Sequence, residues 1–98
     1  MPIASISRFD IPRAEATRIL QRAAPMMKAK GVTSIHHGFC YSGAQTGEST
    51  VTLIYKDWET FAKVTDALAQ DKDYQKLFAE VLEVGELLDR SIMIVQDY

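Results

Sequence analysis

The 98-residue sequence predicts an α+β fold, with four strands in one antiparallel sheet and helices packed on a single face. Three observations carry that expectation. Two strand-like segments, "VTSIHHGFCY" and "TVTLIYK", flank the turn-rich "SGAQTGES" and read as a hairpin. Apolar residues at helical spacing mark one helix before that hairpin and a second, interrupted one after it. Short β-capable segments stand at both ends of the chain, so the element order is β-α-β-β-α-β.

The first strand is "IASISRF", short and free of Gly and Pro. Asp10 follows as a candidate N-cap, with Pro12 in the first helical turn, where a missing N–H costs nothing. Ala16, Ile19, Leu20, Ala23 and Met27 form one helical face, and Pro25 is expected to kink that helix. Lys28 and Lys30 suit its C-terminal dipole, and Gly31 suits its end. After the hairpin, Asp57 caps a second helix whose apolar face is Phe61, Val64 and Leu68. "AQDKD" breaks that helix near Asp71. Tyr74, Leu77, Phe78, Val81 and Leu82 continue at helical spacing, and "SIMIVQDY" is the fourth strand. Two right-handed β-α-β crossovers complete a ferredoxin-like β-α-β-β-α-β domain that spans residues 1–98.

Composition excludes several classes. Apolar residues make up 47% and charged residues 24%, the balance of an ordinary globular domain. The formal charge is −2 and no Lys/Arg block forms a patch, so neither nucleic acid nor an anionic membrane is an expected partner. No apolar run approaches the ~20 residues of a membrane helix. Cys40 is the single cysteine, so no intrachain disulfide forms. "MPIASISRFD" lacks a basic segment followed by an apolar run and does not read as a signal peptide. A cytoplasmic location is the expectation.

Strand alternation sorts the candidate site residues. Ile35, His37, Phe39 and Tyr41 share one face of the second strand; Ser34, His36, Gly38 and Cys40 share the other. In the third strand Val51, Leu53 and Tyr55 oppose Thr50, Thr52 and Ile54. The large apolar sets are expected to meet the helices. A mixed face then carries Ser34, His36, Cys40, Thr50 and Thr52, joined by Ser5 and Ser7 from the first strand. That face is expected either to pack on a second copy of the sheet or to line a cavity.

The stretch "YKDWETFAKVTDALAQDKDYQKLFAEV", residues 55–81, resembles the antibiotic-biosynthesis-monooxygenase-like superfamily of dimeric α/β barrels. Trp58, Asp71, Asp73 and Tyr74 stand where that pattern has its Trp, its helix break and its following aromatic. The resemblance implies a homodimer formed through the sheet face and a cavity for a small organic molecule, aromatic or polyketide-like. Members of the superfamily include cofactor-free oxygenases, haem-degrading enzymes and isomerases. The chain contains no Asn, has no histidine in its second helix, and carries Lys56 where an acidic residue precedes the Trp. The haem-degrading arrangement is therefore incomplete, and no cofactor is expected.

His36 and His37 are adjacent, so in a regular strand they point to opposite faces and cannot share one metal. No carboxylate or third histidine stands at ligand spacing, and no metal site is expected. His36, on the mixed face, is the candidate acid/base, because imidazole titrates near neutrality. A plain interface histidine is the alternative. Cys40 lies four residues on, roughly 13 Å along an extended strand, too far for a Cys–His pair. Ser7, Cys40, Thr52 and Trp58 are the candidate ligand contacts. For Cys40 the alternative is a small buried hydrophobe, and for Trp58 a helix-start anchor beside Phe61. Tyr55 and Tyr74 read as core. Two functions remain open: a ligand-binding barrel with cofactor-free oxygenation or proton-transfer chemistry, and a non-catalytic dimeric binding or structural module.

Overall fold

The computed structural model describes residues 1–98. Its elements are β1 (Ile3–Asp10), α1 (Arg13–Lys30), β2 (Ser34–Phe39), β3 (Ser49–Tyr55), α2 (Trp58–Gln70), α3 (Lys72–Val84) and β4 (Glu86–Ile94). The strands form one antiparallel sheet in the order β2-β3-β1-β4, the ferredoxin-like arrangement. Ala16, Ile19, Ala23 and Met27 of α1, Val64 and Leu68 of α2, and Leu77 of α3 are buried in one cluster with Ile3, Phe9 and Tyr55 of the sheet. The helical faces marked by apolar spacing are thus the faces that pack, except that Leu82 of α3 is exposed. No helix is long and apolar enough to cross a membrane.

Local chemistry sets most boundaries. Gly31 ends α1 at φ 123°, a conformation that L side chains avoid, and its N–H donates to the Lys28 carbonyl. Asp57 caps α2 by accepting a hydrogen bond from the Thr60 backbone N–H at 2.8 Å. The expected break near Asp71 divides two helices, and Asp71 caps the second: its Oδ1 accepts from the N–H groups of Asp73 and Tyr74 at 2.9 and 3.0 Å.

Three expectations are corrected. β1 continues through Asp10, so Pro12 and not Asp10 occupies the N-cap of α1, without a side-chain cap. β4 begins at Glu86, five residues before "SIMIVQDY". Gly85 permits that early start: a Cβ there would lie 2.5 Å from the Asp10 carbonyl oxygen, so only glycine lets the two chain segments approach. The third correction concerns the sheet faces. Ile3, Ser5, Ser7 and Phe9 pair with Tyr55, Leu53, Val51 and Ser49 respectively, which puts Ser5 and Ser7 on the helix side. Their strand carries Ile3 and Phe9 in the same parity, and burying those two takes the serines with them.

The open face therefore presents Ala4, Ile6 and Arg8 of β1, Thr50, Thr52 and Ile54 of β3, and Ser34, His36 and Gly38 of β2. Met93 of β4, opposite Ala4, adds an exposed apolar side chain. Arg8 crosses this face to ion-pair with Glu48 at 3.1 Å and Asp89 at 3.4 Å.

Candidate functional site

The helix side of the sheet holds two cavities with a common wall. The inner one, about 90 Å³, lies under α1 and α3 and is lined mainly by core side chains such as Phe9, Ile19 and Leu77. The outer one, about 200 Å³, lies between the sheet and α2. Exposed residues Thr65, Ala69, Arg90 and Ile92 line it, so it opens to solvent between α2 and β4. Ser7, Leu53, Tyr74 and Arg90 line both.

Each polar group of this wall is placed by an identifiable element. Ser7 and Arg90 face each other across the β1–β4 ladder, and Arg90 Nε donates to Ser7 Oγ at 2.9 Å. The register shifts between Arg8 and Phe9, where Leu88 is left as the extra residue of β4. That bulge lets both Leu87, opposite Phe9, and Arg90, opposite Ser7, face the helices. Tyr55 closes β3 and is 3% exposed, its ring edge-on to Phe61 at 5.1 Å. Tyr74 stands in the first turn of α3, fixed there by the Asp71 cap.

The electrostatics are those of a cation flanked by proton donors. Burial pushes the Tyr55 phenol up from its ordinary value; nearby Tyr74 adds to the rise, while Arg90 and the Thr65 hydroxyl oppose it. Burial likewise raises Tyr74, again opposed by Arg90. Both phenols are therefore protonated at neutral pH. Arg90 takes part in none of the ion pairs of the chain. No Asp, Glu or His lines either cavity. The wall offers N–H and O–H donors to an anionic oxygen and contains no strong base.

The residues singled out from the sequence do not converge here. Ser7 is in the wall, but on the helix side, away from His36 and Thr52. Those two oppose each other on the open face, where His36 Nε2 lies 3.3 Å from Ser34 Oγ. Cys40 sits just past β2, and its Sγ reaches the Ser42 carbonyl at 3.3 Å. Trp58 is 52% exposed at the start of α2, edge-on to Phe61 at 5.8 Å. It lines neither cavity and touches the outer one only through Phe61.

His37 faces the helices, with its ring 4.3 Å from that of Phe39, but Nε2 is buried without a hydrogen-bond partner. Burial pushes its imidazole below the ordinary value, and Arg13 pushes the same way. No three His, Cys, Asp or Glu side chains are grouped to hold a metal ion. Tyr55, Tyr74 and Arg90 were not readable as a site. The tyrosines share the periodicity of the core, and Arg90 falls in a segment, "GELLDR", that resembles a helix end more than a strand.

Residues 3–94 match the family model described as "Domain of unknown function (DUF6854)". The chain belongs to that family. No curated protein matches this DUF6854 domain in sequence. Solved structures match its shape. SnoaB, a cofactor-independent oxygenase from Streptomyces nogalater, aligns with 99% of the domain and 95% of its own chain, at 9% identity and a TM-score of 0.72. Rv0793 from Mycobacterium tuberculosis aligns over 100% and 98%, at 18% identity and 0.71. An uncharacterized NIPSNAP domain protein from Burkholderia xenovorans aligns over 98% and 96%, at 14% identity and 0.77. At these identities the likeness concerns the fold. The DUF6854 domain thus has the fold of the dimeric α/β-barrel superfamily to which the stretch from Tyr55 to Val81 points.

Proposed function

We propose that this protein is a homodimer that binds one small, largely apolar organic acid in the cavity between sheet and helices. The single observation that supports this most is Arg90, a guanidinium without an ion pair on the wall shared by both cavities. A solvent-facing guanidinium without a counter-ion on the chain is matched by an anionic ligand oxygen, which it binds well. Tyr55 and Tyr74 donate beside it. An engineered cavity of about 150 Å³ accepts benzene, so the outer chamber has room for one aromatic ring.

The chemistry this wall supports is constrained. With both phenols protonated and no carboxylate or imidazole present, the site does not abstract a proton from a weak acid. It stabilises an anion that forms readily. Cofactor-independent oxygenation, the activity of the structurally similar SnoaB, fits here for a substrate that supplies its own acidity, such as an aromatic enol. Its enolate reacts with dioxygen while Arg90 holds the oxygen anion. Phe61, between Trp58 and Tyr55, transmits occupancy of the outer chamber to Trp58. His36 and Thr52 belong to the sheet face that meets the second copy.

The test is calorimetric titration with benzoate, then oxygen uptake with an anthrone. Wild-type protein binds benzoate, and Arg90→Met weakens binding about 10–100-fold, the loss of one charge-assisted pair. Protein-dependent oxygen uptake that Arg90→Met suppresses supports the oxygenase. Binding without such uptake leaves the alternative, a non-catalytic dimeric binding module. Equal benzoate affinity in both proteins refutes the site.

A further inference from the structure

Ser49 stands apart from the anion-binding wall. It opens β3, is 1% exposed, and lines the inner cavity together with Phe9, its partner on β1. Its hydroxyl is buried without any hydrogen-bond partner. The rest of that cavity is apolar apart from Ser7 and the Tyr74 and Arg90 side chains at the shared wall. A lone orphaned hydroxyl inside an otherwise apolar chamber has an evident use, because a buried polar group without a partner is costly to retain.

The register fixes how far this hydroxyl lies from the anion site. Ser7, which accepts from Arg90, pairs with Val51, and Ser49 is two residues along the same face. Diagonal neighbours of that kind are about 7–8 Å apart. The inner cavity, about 90 Å³, is less than half the size of the outer one. A short unbranched chain fits between the two ends; a second ring does not.

We propose that Ser49 is a specificity-determining residue at the inner end of this site, where its hydroxyl hydrogen-bonds a terminal hydroxyl or carbonyl on the short apolar tail of an acid anchored at Arg90. The inference rests on the anion site proposed above and adds the chemistry of the ligand's far end. A site built to pair with a polar group rejects the analogue that lacks it, since both partners would otherwise stay unsatisfied. Once bound, such a ligand satisfies Ser49 as well as Arg90.

The probes are 5-hydroxypentanoate and hexanoate, which differ by a hydroxyl in place of a terminal methyl. Their affinities for wild type, Ser49→Ala and Arg90→Met are measured by calorimetry, with thermal unfolding as a control for folding. Wild type is expected to bind 5-hydroxypentanoate at least as tightly as hexanoate, although the methyl is the more apolar group. Ser49→Ala should shift that ratio at least tenfold toward hexanoate, and Arg90→Met should weaken both acids equally. An unchanged ratio in Ser49→Ala, with Arg90→Met still weakening both, overturns the role of Ser49 alone. Failure of both acids to bind wild type, or indifference of both to Arg90→Met, overturns the anion site and this inference with it.

Discussion

Replacing Ser49 with alanine should stabilise the unliganded protein. The hydroxyl is 1% exposed and has no partner within the chain, so folding exchanges its bulk-water hydrogen bonds for none from the protein. That loss is about 1–3 kcal/mol for a neutral polar group. Against it stands the space left by one oxygen, roughly 10 Å³, which at about 24 cal/mol per Å³ costs only about 0.2 kcal/mol. The backbone of Ser49 keeps its ladder positions opposite Phe9 and Phe39, so nothing else changes. A net gain of about 1–3 kcal/mol follows, equivalent to a rise in Tm of roughly 4–24 °C for a domain of this size. Urea unfolding and calorimetry at one fixed protomer concentration measure it, since any dimer makes Tm depend on concentration. A lower Tm for Ser49→Ala would mean that the hydroxyl is satisfied in the folded protein, and the reasoning that starts from its isolation would fail.

Gly85→Ala should destabilise by about 1–3 kcal/mol, because its Cβ would sit 2.5 Å from a backbone oxygen and 2.7 Å from Ile11 Cβ; a urea midpoint equal to wild type contradicts that packing. His37 titrates lower in the folded chain than in the unfolded one, so its contribution is intact above pH ~6.5 and is lost as pH falls through the folded value. His37→Gln should flatten that part of the stability–pH profile, and an unchanged profile counts against a buried, unpartnered imidazole. On the open face Thr52 stands between Ile6 and His36, so Thr52→Arg should convert a low-micromolar dimer to monomer in sedimentation equilibrium. A wild-type monomer at that concentration removes the sheet face as the interface.

The sequence alone determined the elements that depend on local or short-period physics. Ala16, Ile19, Ala23 and Met27 are one face of α1 at any tertiary arrangement, because 3.6 residues make a turn, and all four are buried. The β2–β3 alternation placed His36 and His37 on opposite faces for the same kind of reason, and Asp71 announced the break between α2 and α3. Register is another matter. "IASISRF" alternates two mixed sets, and the β1–β3 pairing decides which set is buried: Ile3 meets Tyr55 and Phe9 meets Ser49, which carries Ser5 and Ser7 inward. Arg90 depends on two distant facts, a close approach at Gly85 that lets β4 start early and a bulge at Leu88 that turns its side chain toward the helices. Tyr55, Tyr74, Ser7 and Ser49 look like core or strand residues wherever they are read singly. They come together only because two strands and a helix bring them around two adjoining unfilled spaces, and an unfilled space is a property of packing that no spacing along the chain encodes.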